Sequence, residues 1–163
     1  MGEIGLDYFK MRSSKIHQCT AFERQLALAR YYDMPVIIHN RHSESDMADI
    51  VTQFPTVKKV FHCFGSHPDF IEQVDSPTTY YSFTGTATYA KKGKTIAAIR
   101  DIPLTKIMIE TDCPYLTPVA YKGKENQPAY VSKIAKRIAY IKGIHIATVI
   151  QTTTQTASYF FKI

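Results

Sequence analysis

Glu3, His39, His62 and Asp112 each stand in a short, mostly apolar run. The runs are Gly2-Glu3-Ile4-Gly5-Leu6-Asp7, Pro35-Val36-Ile37-Ile38-His39, Val57-Lys58-Lys59-Val60-Phe61-His62 and Lys106-Ile107-Met108-Ile109-Glu110-Thr111-Asp112. Two imidazoles and two carboxylates are donors suited to a divalent cation. A parallel (β/α) barrel gathers such residues at one rim, because its chemistry sits at the C-terminal ends of its strands. Donors far apart in sequence can then converge. Glu3 strengthens this reading, since a carboxylate in an apolar strand needs a cation or several donors to remain charged.

The elements that would position these residues alternate along the chain, as in consecutive βα units of an α/β protein. Strands are expected at 2–6, 35–39, 57–62, 79–84 and 106–111. Phe22, Leu26, Ala29 and Tyr31 or Tyr32 recur at helical spacing between the first two. Ser43 is expected to cap a helix running to about Phe54, with weaker helical periods at 67–75 and 93–100. A Pro- and Tyr-rich connection from Pro114 to Pro128 is too long for a simple turn and reads as a functional loop. Two helices follow. Tyr130, Ile134, Ile138 and Ile141 line the first up to a stop at Gly143; Ile146, Val149, Ile150, Thr153, Ala157 and Phe160 line the second.

Five parallel strands in 163 residues make a partial TIM-type barrel, since a full eight-stranded one takes about 250 residues. Residues 1–163 read as one domain. An open set of strands leaves two edges unpaired, so association through those edges is expected.

A chain that is 45% hydrophobic and 21% charged is an ordinary globular composition, which excludes disordered and fibrous classes. No apolar run approaches the roughly 20 residues of a membrane span, and the first residues are acidic where a signal peptide is basic and then apolar. A cytoplasmic protein without membrane contact is expected. Cys19, Cys63 and Cys113 are odd in number and lack Cys-x-x-Cys spacing, which points to reduced thiols. The net charge of +6 favours polyanionic partners. Arg41 could clamp a phosphate with its planar fork, and Lys91, Lys92 and Lys94 form a basic loop able to meet a nucleic-acid backbone. Tyr115 and Tyr121 could stack on bases or pack the long loop down; packing is favoured for Tyr115.

Taken together and in order, four blocks resemble the TatD-type metal-dependent deoxyribonucleases, which belong with the amidohydrolase-like TIM barrels. They are Gly2-Glu3-Ile4-Gly5-Leu6-Asp7-Tyr8, Pro35-Val36-Ile37-Ile38-His39-x-Arg41, His62-Cys63-Phe64 and Glu110-Thr111-Asp112-x-Pro114-Tyr115-Leu116. The stretch from Pro118 to Val131, with Tyr121, Gly123, Asn126, Pro128 and Tyr130, is similar to the family's loop before its last barrel helix.

The resemblance implies that Glu3 bridges two divalent ions (Mg, Mn or Zn), that His39 and His62 bind one of them, and that Asp112 binds the other while steering the attacking water. Glu3 and Asp112 would be the catalytic pair. Asp7 and Glu110 would sit behind the ligands; Arg41, Lys91, Lys92 and Lys94 would hold the substrate. The implied activity is hydrolysis of phosphodiester bonds in DNA, as an exonuclease, by metal-activated water.

The chain also departs from the family. No His-x-His occurs in the sequence, although the family's first strand ends in such a pair; by resemblance the chain starts at the fourth strand and is N-terminally incomplete, and one ion could still bind Glu3, His39 and His62 where the intact family site holds two. Gly65-Ser66 stands where the family usually reads Ser-Gly, and Glu125 and Gln127 flank Asn126 where Arg and Glu are frequent. Two alternatives remain open: a barrel fragment that is inactive alone or depends on a partner, and an ester hydrolase acting on aminoacyl-RNA by the same metal chemistry.

Overall fold

The structure, a computed structural model, describes residues 1–163. The chain forms two compact units: Met1–His62 with Asp69–Tyr80, and Cys63–Pro68 with Tyr81–Ile163. The strand order follows the chain, β1-β2-β3-β4-β5.

In the first unit, β1 (Ile4–Asp7) pairs in parallel with β2 (Val36–Arg41), placing Gly5 opposite His39 and Asp7 opposite Arg41; β2 pairs with β3 (Lys59–Phe61). Gly5 is required there. It has φ 141°, and a Cβ at that position would overlap the His39 carbonyl, so only glycine lets β1 lie this close to the ligand strand. Helix α1 (Lys15–Tyr31) starts at Ser14, whose hydroxyl accepts from the His17 N–H. It buries Phe22, Leu26 and Ala29; Tyr31 and Tyr32 both stay exposed.

Helix α2 (Glu44–Val51) begins at Ser43 as expected, but the serine makes no cap bond. Its hydroxyl lies 2.7 Å from Asn40 Oδ1 and 3.2 Å from the Leu6 carbonyl, so it ties β1 to the end of β2 instead. Helix α3 spans Pro68–Val74 and β4 spans Thr79–Phe83. Lys59 is 2% exposed, and its ammonium donates to Thr78 Oγ1 at 3.1 Å; burial pulls its pKa down to about 8.

In the second unit, β4 pairs in parallel with β5 (Ile107–Ile109), Tyr81 opposite Ile107 and Phe83 opposite Ile109. Helices α4 (Lys94–Asp101), α5 (Val131–Lys142) and α6 (Ile146–Phe161) supply its apolar faces. Helix α5 buries Ile134, Ala135, Ile138 and Ala139 and ends at Gly143 in the left-handed region (φ 64°), the expected stop. Helix α6 departs from its expected stripe. Val149, Thr153, Thr156 and Phe160 face inward, while Ile150 is half exposed. Two of the buried positions are threonines whose hydroxyls bond back to carbonyls one turn earlier, Thr153 to Val149 and Thr156 to Thr152, so polar residues occupy an apolar face without leaving a donor unmatched. Four short 3₁₀ turns, among them Val119–Tyr121 and Pro128–Tyr130 inside the long connection, complete the chain.

Candidate metal centre

Glu3, His39 and His62 meet in the first unit with their ligand atoms all within 4.8 Å of one another. Glu3 Oε2 lies 4.0 Å from His39 Nδ1 and Oε1 lies 3.9 Å from His62 Nε2; the two imidazole rings stack at 6.0 Å. His39 is in β2, and His62 directly follows β3, where its N–H donates to the Ile38 carbonyl. Glu3 differs from the expectation of a strand position. It lies just ahead of β1, and Asp7 occupies the C-terminal end of that strand.

Asp7 defines the ionic state of the cluster. Its Oδ1 accepts from the N–H groups of Phe9 and Lys10, and its Oδ2 lies 3.2 Å from His39 Nε2. Burial alone would raise this carboxyl, but the Lys10 N–H, the His39 ring and the Phe9 N–H outweigh it and hold the pKa below the usual value. An ionised carboxylate only accepts, so His39 Nε2 carries the hydrogen, and in the neutral ring Nδ1 is then left with its lone pair on the Glu3 side. Two acceptors 4.0 Å apart are too distant to hydrogen-bond and repel unless a cation stands between them.

Donors around one tetrahedral ion at about 2.0–2.1 Å stand roughly 3.3 Å apart. From 4.0 and 3.9 Å the two Glu3–His pairs therefore need to close by about 0.6–0.7 Å, and the widest pair, within 4.8 Å, by up to about 1.5 Å. Two imidazoles and a carboxylate suit Zn or Mn better than the all-oxygen preference of Mg. The Glu3 side chain is 49% exposed and His62 only 9%, so the cluster opens to solvent on the Glu3 side.

A groove of about 440 Å³ adjoins the cluster, lined by Asp7, Lys10, Arg12, Ser13, Gln18, His39 and Arg41. Arg41 is exposed at the end of β2, with its guanidinium 4.0 Å over the Phe9 ring. Lys10 and Arg12 escaped the sequence reading; the signal for them was two cations in the turn directly after Leu6-Asp7.

The remaining candidates lie in the second unit. Asp112 follows β5 in the left-handed region (φ 57°) and is half buried. Glu110 Oε1 accepts from the Cys63 N–H at 2.8 Å and from the Ser82 hydroxyl, so its carboxylate ties the Cys63 segment to β4. Burial pushes the Cys63 thiol up, which disfavours the thiolate. Lys91, Lys92 and Lys94 line a groove of about 440 Å³ with His67 and Arg100.

Asn126 was legible only as a motif residue, and its contacts explain why it is there. It is 4% exposed, its amide donates to the carbonyls of Thr111 and Tyr115, its Oδ1 accepts from the Gln127 N–H, and its own N–H donates to the Pro114 carbonyl. It thus clamps the segment carrying Asp112. Tyr115 is 72% exposed rather than packed, because Tyr121 takes the packing role by stacking on Tyr130 at 3.8 Å.

The chain is similar to several known proteins. The chain is 35% identical to the metal-dependent hydrolase YabD of Bacillus subtilis over 165 aligned residues, covering 100% of this chain and 65% of that protein. It is 35% identical to the 3′-5′ ssDNA/RNA exonuclease TatD of Enterobacter lignolyticus, covering 88% of this chain and 58% of that one. The crystal structure of YJJV, a TatD homolog from Escherichia coli K12, superposes with a TM-score of 0.91 at 26% identity, covering 99% of this chain and 63% of that one. The chain thus spans less than two thirds of the length of these relatives. Five parallel strands with intervening helices, a Glu-His-His cluster beside them, and a match of residues 1–162 to the TatD related DNase family together establish that this chain belongs to that family.

Proposed function

We propose that residues 1–163 form a single hydrolase domain that cleaves nucleic-acid phosphodiester bonds with a bound divalent metal, as a DNA exonuclease. The observation that carries this reading is the Glu3-His39-His62 cluster, in which Asp7 fixes the His39 tautomer. The hydrolase and exonuclease descriptions of similar proteins support it.

When bound, a divalent cation supplies Lewis-acid polarisation of water and of the phosphoryl group. Glu3, His39 Nδ1 and His62 Nε2 are the residues that would hold it. Asp7 keeps the His39 ring turned with its lone pair toward Glu3, and raises the basicity of that ligand. Arg41 offers a planar fork of donors to a phosphate oxygen. Asp112 is proposed, from its motif alone, to accept the proton of the attacking water.

The test is metal-dependent cleavage of end-labelled single-stranded DNA, run beside hydrolysis of an aminoacyl-RNA ester. Glu3→Gln, His39→Ala and His62→Ala are each expected to lose both metal binding and cleavage, and Asp112→Ala to lose cleavage alone. Full cleavage by the histidine variants would refute the mechanism; a large preference for the ester would replace the nuclease assignment. A one-ion site is the second reading, because three donors converge. Calorimetric titration with Zn²⁺ should then saturate at about one equivalent.

A further inference from the structure

We propose that a pocket of about 360 Å³ beside α5 binds a small organic carboxylate with an apolar body, at a site that shares no residue with the candidate metal centre. Helix α5 contributes Lys133, Lys136, Arg137 and Tyr140, whose spacing of three, four and seven residues puts them on one side of the helix. The facing wall is the turn at 118–120, and the whole lining belongs to the second unit. No acid lines the pocket, and none of the three cations is paired with a carboxylate. Arg137 Nη2 donates to the Ala90 carbonyl, which holds the guanidinium in place, while its Nε is buried with no acceptor in the protein. An unmatched buried donor is costly, and an anionic oxygen at this guanidinium offsets that cost.

Away from the cations the wall has little left to hydrogen-bond. The Val119 N–H donates to Thr88 Oγ1 at 2.8 Å, and that hydroxyl donates onward to the Gly85 carbonyl at 2.6 Å. The carbonyls of Pro118 and Val119 accept from the N–H groups of Tyr121 and Lys122. A sugar would find few partners along this wall; an alkyl or aryl body packs on Pro118, Val119, Ala120 and the methylene stems of the lysines. Val119 and Tyr140 are exposed, so the apolar surface is open to a ligand. The pocket is also built in advance. A Cβ at Gly85 would lie 2.0 Å from the Leu116 carbonyl oxygen and 2.8 Å from the Pro118 nitrogen, so glycine lets the 116–118 segment pass this close. A concave, preformed space of this volume, apolar with a few charged groups at one side, matches a small molecule better than a flat protein surface does.

The experiment is calorimetric titration of the full chain with decanoate, below its micelle concentration, beside decanol, acetate and inorganic phosphate. Decanoate is expected to saturate at about one equivalent, and decanol and acetate, each lacking one half of the ligand, to bind at least about tenfold more weakly. Arg137→Gln should weaken decanoate about tenfold or more. Ala120→Phe fills the pocket from an exposed position without touching its charge and should abolish binding. Arg24→Gln, on the exposed face of α1, removes a charge elsewhere and should change nothing. Decanoate binding that survives Ala120→Phe in a variant of unchanged melting temperature would overturn the proposal, whatever Arg137→Gln does to folding. Equal binding of decanol would reduce the site to an apolar surface, and equal binding of phosphate or acetate would reduce it to a charged one; either result also overturns it. Displacement of decanoate by poly-glutamate at the same carboxylate concentration would give the cations to an acidic peptide instead.

Discussion

Asp7 shows how much of this site depends on one carboxylate that touches no metal. By accepting from His39 Nε2 it decides which ring nitrogen is left for a cation. Asp7→Asn keeps the size of the side chain but can present an amide N–H to the ring, which favours the wrong tautomer. The expected result is a 10- to 100-fold loss of Zn²⁺ affinity with an unchanged melting temperature, measured by calorimetry and thermal scanning; an unchanged affinity would refute the orienting role.

A second residue-scale prediction concerns Lys59. Burial lowers its folded pKa from 10.5 to about 8, so the unfolded chain binds that proton more tightly. The resulting cost is complete below pH 8 and disappears as pH rises toward 10.5. Lys59→Met should therefore stabilise the protein at pH 7 by up to about 3 kcal/mol, and the gain should vanish near pH 10.5 in urea titrations. Residue types were legible in the sequence to the extent that each ligand stood in an apolar run. The placement of Glu3 ahead of β1 was not, because period-two patterning cannot say where pairing with the neighbouring strand begins.

At the scale of elements, apolar periodicity located every strand and all six helices, and each departure has its own local cause. Ser43 was expected to cap α2 because a serine ahead of a helix usually does, yet nearby acceptors at Asn40 and Leu6 captured its hydroxyl. Ile150 was placed inward because it is apolar, yet the face of α6 that packs carries Thr153 and Thr156. Turns of 3₁₀ type carry no apolar period at all, so the two inside the long connection were invisible. That connection is held by Asn126, and Asn126→Ala would remove the amide that donates to the carbonyls of Thr111 and Tyr115. A loss of about 2 kcal/mol or more is expected, with faster amide exchange confined to residues 111–127. Uniform acceleration across the unit would show that the clamp is not local.

For the whole molecule, the sequence reading of five parallel strands with intervening helices holds, in an order that follows the chain. No helix is long and apolar enough to cross a membrane. We propose that terminal strands of this sheet are a place of association, since unpaired strand edges recruit other strands. Sedimentation over a hundredfold range of concentration should reveal a species heavier than 18.5 kDa; a monomer throughout would end that idea. The chain-ordered sheet also has a temporal consequence. Each strand's partner is the next one to be made, so at about 5–20 residues per second β1 waits only seconds on the ribosome before β2 emerges. The pairing that sets Gly5 against His39 can thus form during synthesis, before the Asp112 segment has left the exit tunnel.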